Sequence, residues 1–268
     1  MKYQWLFVAL SITPSFFLQA ASFDCTKAAS PTEKMICQDP ILNTLDEILG
    51  EQYKELRTQL TQPQQQALKQ EQLNWWEQRD GQCSLGISKC IPSYGQRIGE
   101  LHHQLALESL KQELLQVTSM EQLINSSNYH EFLAARYTLF DHIFETEDYV
   151  RKMGSTTSMY YALKGKGDEF SFENGLRFGS ACEPSHCERK GFILVDPKTL
   201  DAVFGIIAFN DKFDRYFYDK PQLILFYNND EFFEANLPLM VNKVKATTKV
   251  EKVIPVRAND FNDDTSYY

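Results

Sequence analysis

The chain contains no Cys-x-x-Cys pair, no His-Glu-x-x-His helix and no Gly-x-Ser-x-Gly elbow. Residues for a dithiol redox centre, a zinc hydrolase or a serine hydrolase are therefore not present at the spacing those reactions need. Histidine is scarce, at 5 of 268 residues. His102 and His103 are adjacent, so on a helix they point about 100° apart and cannot both reach one metal ion. His130 and His142 sit in an aromatic segment and read as helix-face residues. The expectation is a protein with no catalytic residue, no metal site and no cofactor, not an enzyme. Basic charge is also short: 27 Lys and Arg stand against 36 Asp and Glu, a net charge of −9. Phosphate binding rests on clustered Lys and Arg, so nucleic acid is excluded as the expected partner. A cationic protein would be steered favourably by the same field. After residue 17 no apolar run approaches the roughly 20 residues of a membrane-spanning helix.

The one long apolar run lies at the start. Lys2 precedes the stretch from Trp5 to Phe17, and Leu18-Gln19-Ala20-Ala21-Ser22 supplies small residues at its exit. This pattern predicts a cleavable secretory signal over residues 1–21, with cleavage between Ala20 and Ser22. The product is expected to be soluble and periplasmic or secreted. All six cysteines (Cys25, Cys37, Cys83, Cys90, Cys182 and Cys187) lie beyond that signal. An even count in an oxidising compartment predicts three bridges, for which fifteen connectivities exist. Four cysteines fall early and two late, which divides the chain into two domains.

Residues 22–115 read as a small all-α module. Ser30-Pro31-Thr32-Glu33 combines a capping serine, proline at the first helical position and glutamate three residues after the cap. Asp39-Pro40 repeats the cap-then-proline signal. Ile41, Leu45, Ile48, Leu49, Tyr53, Leu56 and Leu60 then recur at helical spacing. Thr61-Gln62-Pro63 breaks and restarts the helix, Leu68, Leu73, Trp75, Trp76 and Arg79 continue it to Gly81, and a loop from Cys83 to Pro92 leads to a third helix from Tyr94 to Leu114. Of Trp75 and Trp76, one must be partly exposed. An antiparallel hairpin turning at Pro63 brings Cys37 towards Cys83 and leaves Cys25 and Cys90 at the same end. Cys37–Cys83 and Cys25–Cys90 are therefore favoured over two local bridges.

The pattern Asp24-Cys25, Ser30-Pro31-Thr32-Glu33, Ile36-Cys37, Leu45-Asp46, Tyr53, Gln72, Trp75-Trp76, Arg79-Asp80, Cys83, Cys90, Tyr94 and Arg97-Ile98 resembles the LprI-type domain. That disulfide-stapled helical module of exported bacterial proteins takes its name from a lysozyme inhibitor. Residues 116–150 read as a helical or irregular connection in which Tyr129, Phe132, Leu133, Tyr137, Phe140, Phe144 and Tyr149 form an apolar core face.

From Met159 the periodicity becomes that of strands. Gly191-Phe192-Ile193-Leu194-Val195, a turn at Asp196-Pro197-Lys198-Thr199, and Ala202 to Ile207 predict an antiparallel hairpin. Arg215 to Tyr218 and Leu223 to Tyr227 are further strand candidates. The expected second domain is therefore α+β with an antiparallel sheet over residues 151–245, followed by a polar C-terminal tail over 246–268.

Cys182-Glu183-Pro184-Ser185-His186-Cys187 is the segment that carries chemistry. A bridge over so short a ring stiffens a loop, and a stiff loop loses less entropy when it docks. Ser180 to Cys187, Phe192 to Val195 and Val203 to Ile206 resemble the inhibitor of vertebrate lysozyme (Ivy) family. There a Cys-x-Pro-x-x-Cys loop projects from an antiparallel sheet into the cleft of a c-type lysozyme, and its histidine meets the catalytic carboxylates. The resemblance carries Cys182, Pro184 and Cys187 over directly. The family's histidine follows the proline, where this chain has Ser185. His186 comes one residue later, so Ser185 and His186 together are the candidate contacts. A glycosidase cleft holds two carboxylates, one kept protonated as the acid, and a hydroxyl or imidazole can hydrogen-bond to both forms. Glu183 and Glu188 flank the loop and would face basic residues on the rim of a cationic enzyme. The expected function is inhibition of lysozyme, a cationic glycosidase, by occlusion of its active-site cleft. The alternative is a cell-envelope interaction or adaptor protein without inhibitory activity.

Overall fold

A computed structural model describes residues 22–137, 144–146, 149–151, 160, 162–184, 186–209 and 220–257. Residues 1–21, where a signal is expected, the strand candidate at Arg215 to Tyr218, His142 and Phe140 lie outside those residues. The chain divides into two units. One holds the described residues up to Arg57 together with Thr61–Leu101, and the other holds Thr58–Leu60 and the described residues from His102.

In the first unit a short 3-10 turn at Cys25–Lys27 precedes α1 (Pro31–Gln38), α2 (Pro40–Gln59), α3 (Gln62–Cys83) and α4 (Ile87–Gln116). The starts of these helices are written in the sequence. The Glu33 amide donates to Ser30 Oγ at 3.1 Å and the Ser30 amide to Glu33 Oε2 at 2.9 Å, a reciprocal cap that satisfies two otherwise orphaned donors. Asp39 Oδ1 accepts from the amides of Ile41 and Leu42 at the start of α2. Thr61 opens α3 with Pro63 in its first turn.

Two expectations are corrected in this unit. The cysteines pair locally, Cys25 with Cys37 and Cys83 with Cys90, rather than Cys37 with Cys83 and Cys25 with Cys90. The reason is that Asp39 is extended (φ −98°, ψ 117°) and ends α1, so Cys37 does not continue the line of the α2 arm. The loop from Cys83 to Pro92 shrinks to Ser84–Gly86, and Cys90 and Pro92 lie inside α4, which seats Cys90 opposite the end of α3. The buried face of α2 also differs. Leu42, Asp46, Leu49 and Leu56 are buried, whereas Ile41 and Ile48 are exposed. Trp75 is buried and Trp76 is 46 % exposed.

The second unit takes up the C-terminal half of α4, α5 (Met120–Ile124) and α6 (Ser127–Tyr137), then a two-stranded ladder of β1 (Phe144–Thr146) and β2 (Tyr149–Arg151). A six-stranded sheet follows, with β3 (Gly167–Glu173), β4 (Leu176–Glu183), β5 (His186–Val195), β6 (Ala202–Ala208), β7 (Gln222–Tyr227) and β8 (Lys252–Arg257) in spatial order. Neighbours are antiparallel except β7 and β8, which are parallel because α7 (Asp230–Thr247) carries the chain between them. The β5–β6 hairpin has the expected turn, with Val195 opposite Ala202 and the Leu200 amide donating to the Asp196 carbonyl at 2.8 Å.

Both faces of this sheet are covered. Ile193, Val195, Phe204, Ile206, Ile224 and Phe226 pack with Leu110 and Leu114 of α4 and with Leu123, Ile124, Tyr129 and Phe132 of α5 and α6. Phe192, Leu194, Val203, Leu223 and Leu225 face Phe233, Met240 and Val244 of α7. Strands covered on both faces read as continuous apolar runs, as β5 to β7 do. The division between units therefore runs through α4, ahead of residue 115, and 116–137 belong to the core of the sheet unit rather than to a connection. The polar tail expected from residue 246 contains β8, whose Ile254 and Val256 join the core while Pro255 sits on an edge strand, where a missing donor is tolerated.

Candidate functional site

The Cys182–Cys187 bridge closes the tip of the β4–β5 hairpin, with the two Cα atoms 4.7 Å apart. Glu183 pairs with His186 across the tip, and the register shifts between Cys182 and Glu183 because Cys182 faces Lys190. The extra residues on the β5 side form a bulge, which bends and re-aims a hairpin end. Cys182 is buried, while Pro184, Cys187 and Glu188 are exposed. Ser185 and the side chain of His186 lie outside what the structure describes.

A neighbouring segment braces the loop from behind. The Gly165 amide donates to the Cys182 carbonyl at 2.8 Å, and the Cys182 amide to the Lys166 carbonyl at 3.3 Å. A Cβ on Gly165 would fall 2.0 Å from that Cys182 oxygen, so only glycine permits this approach. The disulfide contributes about 2 kcal/mol in the chain-entropy model, and the bracing segment adds directional hydrogen bonds. One expectation about charge is altered. Glu183 is engaged within the chain by Arg189 Nη1 at 3.3 Å, and Lys190 follows, so the flank of the loop carries both signs. Glu188 is the exposed carboxylate next to the tip.

The helical unit holds a second constellation. Asp46 on α2 is 3 % exposed and accepts from Tyr94 Oη of α4 at 2.8 Å. Arg79 of α3 donates to the same Tyr94 oxygen at 3.3 Å and to Asp80, and its guanidinium lies 5.5 Å over the Trp75 ring. Trp75 and Tyr94 meet edge to face at 5.2 Å. Beside them the buried Arg97 donates to Gln72 at 3.1 Å and to Glu100 at 3.0 Å. Burial, and then the Asp46 carboxylate, push the Tyr94 phenol well above its ordinary range. These contacts tie α2, α3 and α4 together at one level. A groove of about 730 Å³ runs over this cluster, floored by Asp46 and Gln72 and flanked by Phe23, Tyr53, Trp76 and Arg79. Asp46, Gln72, Trp75, Arg79, Tyr94 and Arg97 all belong to the LprI-like pattern, yet residue spacing places Trp75, Arg79 and Tyr94 only on their helices and does not bring the cluster together. The missed signal is Asp46, a carboxylate at a heptad position between Leu42 and Leu49.

Of the remaining histidines, His102 is exposed near Glu131 at 3.9 Å, and His130 lies against the Tyr160 ring. Among the described residues no cluster of three or more His, Cys, Asp or Glu could hold a metal ion, and no helix is long and apolar enough to cross a membrane.

None of the curated proteins and none of the solved structures compared with the chain matches it. A family model does: the one described as "Lysozyme inhibitor LprI" matches residues 25–135, which include both local disulfides and the whole Asp46–Tyr94–Arg79 cluster. The N-terminal half of the chain is thus similar to the LprI lysozyme inhibitors.

Proposed function

We propose that the protein is an exported inhibitor of c-type lysozyme that blocks the enzyme's cleft with the loop Cys182 to Cys187. The observation that carries a lysozyme-inhibitor role is the LprI match over residues 25–135. The loop supports the blocking mode. It is closed by a disulfide, braced by Gly165 and Lys166, and exposed at Pro184 and Cys187. Preorganisation of this kind lowers the entropy lost on docking. In this reading Ser185 and His186 meet the catalytic carboxylates, the sheet unit acts in the manner of the Ivy family, and the leader directs the chain to the periplasm or beyond. Inhibition is occlusion without turnover.

The test is titration of the full mature chain into c-type lysozyme acting on cell walls. Loss of activity at equimolar inhibitor is expected, with Ser185→Ala/His186→Ala weakening it at least tenfold. Full activity in tenfold excess would sink the inhibitor reading. Inhibition that the double variant leaves unchanged would move the contact to the helical unit, which is the half that matches a known family.

A further inference from the structure

A buried carboxylate needs a cation or several donors, and Asp46 lacks the cation. Its Oδ2 accepts from the Ser22 main-chain nitrogen at 2.9 Å and from Ser22 Oγ at 2.5 Å, and its Oδ1 from Tyr94 Oη. The guanidinium of the cluster, Arg79, is bonded to Asp80 and to the Tyr94 hydroxyl rather than to Asp46. Among the described residues no Lys or Arg is ion-paired with Asp46. Its three hydrogen bonds offset part of the desolvation of a buried charge, and a cation within reach would offset more.

Residue 22 sits in a place shaped for it. Gly50 lies in the interior of α2, where glycine is less stable than alanine, and a Cβ there would fall 2.7 Å from Ser22 Cβ. The helix thus gives up stability at a point where Ser22 lies against it, one turn on from Asp46. The residue immediately before, Ala21, is small, as the position ahead of a signal-peptide cut requires.

We propose that the leader is removed by hydrolysis of the Ala21–Ser22 bond and that the α-ammonium released on Ser22 is the cation partner of Asp46. A signal-peptide protease supplies the catalysis and water the atoms. Hydroxyl from water goes to the Ala21 carbonyl, and its proton goes to the Ser22 nitrogen, which takes a further proton to become an ammonium. The atom that donates to Asp46 as an amide is the atom that becomes charged, so the ion pair forms without movement of the chain. Processing then completes the helical unit: the uncut chain presents one neutral N–H to Asp46, and the processed chain a full positive charge. The inference rests on the reading of residues 1–21 as an export signal.

Intact-mass measurement and N-terminal sequencing of the exported protein should find Ser22 first. No cleavage in the leader would overturn the export reading as well, whereas cleavage at any other bond overturns this inference alone. In the mature chain, one extra alanine ahead of Ser22 should lower Tm by about 5 °C or more. The same extension in an Asp46→Asn background should shift it by less than about 1 °C. Equal shifts in both backgrounds would refute the pairing. Should Asp46→Asn not fold, acylation of the α-amine decides. The folded protein should react at least tenfold more slowly than the urea-unfolded chain, and equal rates would refute it.

Discussion

Replacing Gly165 with alanine should damage the loop that the proposed function depends on. The new Cβ would stand 2.0 Å from the Cys182 carbonyl oxygen, 3.0 Å from its carbon and 3.2 Å from the Pro184 nitrogen. All three are backbone atoms, so no side chain can swing aside, and the segment must retreat by about 1 Å or more in a close-packed setting. That retreat breaks the hydrogen bond from Gly165 to Cys182, about 1 kcal/mol, and strains the bulged hairpin by roughly 1–3 kcal/mol. The expected loss is about 2–4 kcal/mol, which corresponds to a fall of roughly 5–15 °C in the melting of the sheet unit. Differential scanning calorimetry measures this directly, and inhibition of lysozyme should weaken in parallel. The control is Gly81→Ala in α3, where a Cβ meets nothing within 4 Å. That variant should be neutral or more stable by up to about 1 kcal/mol. A Gly165→Ala protein that melts within about 1 °C of the parent would refute the bracing argument.

Three further outcomes follow from the same contacts. Cys182→Ser/Cys187→Ser should still fold, lose about 2 kcal/mol of stability by denaturant titration, and inhibit more weakly because the loop is no longer held before docking. Tyr94 is held protonated by burial and by Asp46, so its folded pKa is raised. Its contribution is complete below about pH 10, the unfolded value, and is lost as pH rises through the folded one. Phenolate absorbance should show one tyrosine ionising only as the helices unfold, and Tyr94→Phe should remove that step. The backbone amides of Ser30 and Ala29 hold the Glu33 carboxyl below its ordinary range. Its stabilising effect is present above about pH 4.3 and is lost as pH falls through the folded value, so Glu33→Gln should flatten the acid limb of Tm against pH.

Local signals in the chain were readable where one residue type has one use. The caps at Ser30, Asp39 and Thr61 and the turn at Asp196 all stand where proline and short polar side chains predict them. Pairings that depend on a third dimension were less readable. The pairing of the four N-terminal cysteines is not legible because the bend at Asp39 separates α1 from the α2 arm, a consequence of backbone angles at a single residue. The helix α7 went unread because Pro238 interrupts its pattern, although Phe233, Met240 and Val244 keep helical spacing. The strand β8 hid in a polar context, since an edge strand needs only alternate apolar residues such as Ile254 and Val256. At the candidate loop the bridge and its hairpin follow from proximity in sequence. The bracing by Gly165 and the capture of Glu183 by Arg189 do not, because both rest on register. The Asp46 cluster shows the same limit: its members are spread from residue 46 to residue 97 and meet only when three helices assemble.

The central claim, that residues 182–187 enter the lysozyme cleft, is tested most directly by amide hydrogen exchange of the full mature chain with and without c-type lysozyme. The account predicts that exchange slows on binding at Glu183, Ser185, His186, Cys187 and Glu188, and that a chitooligosaccharide occupying the cleft abolishes this protection. Protection confined to residues 25–101, with the loop exchanging as in the free protein, would contradict it.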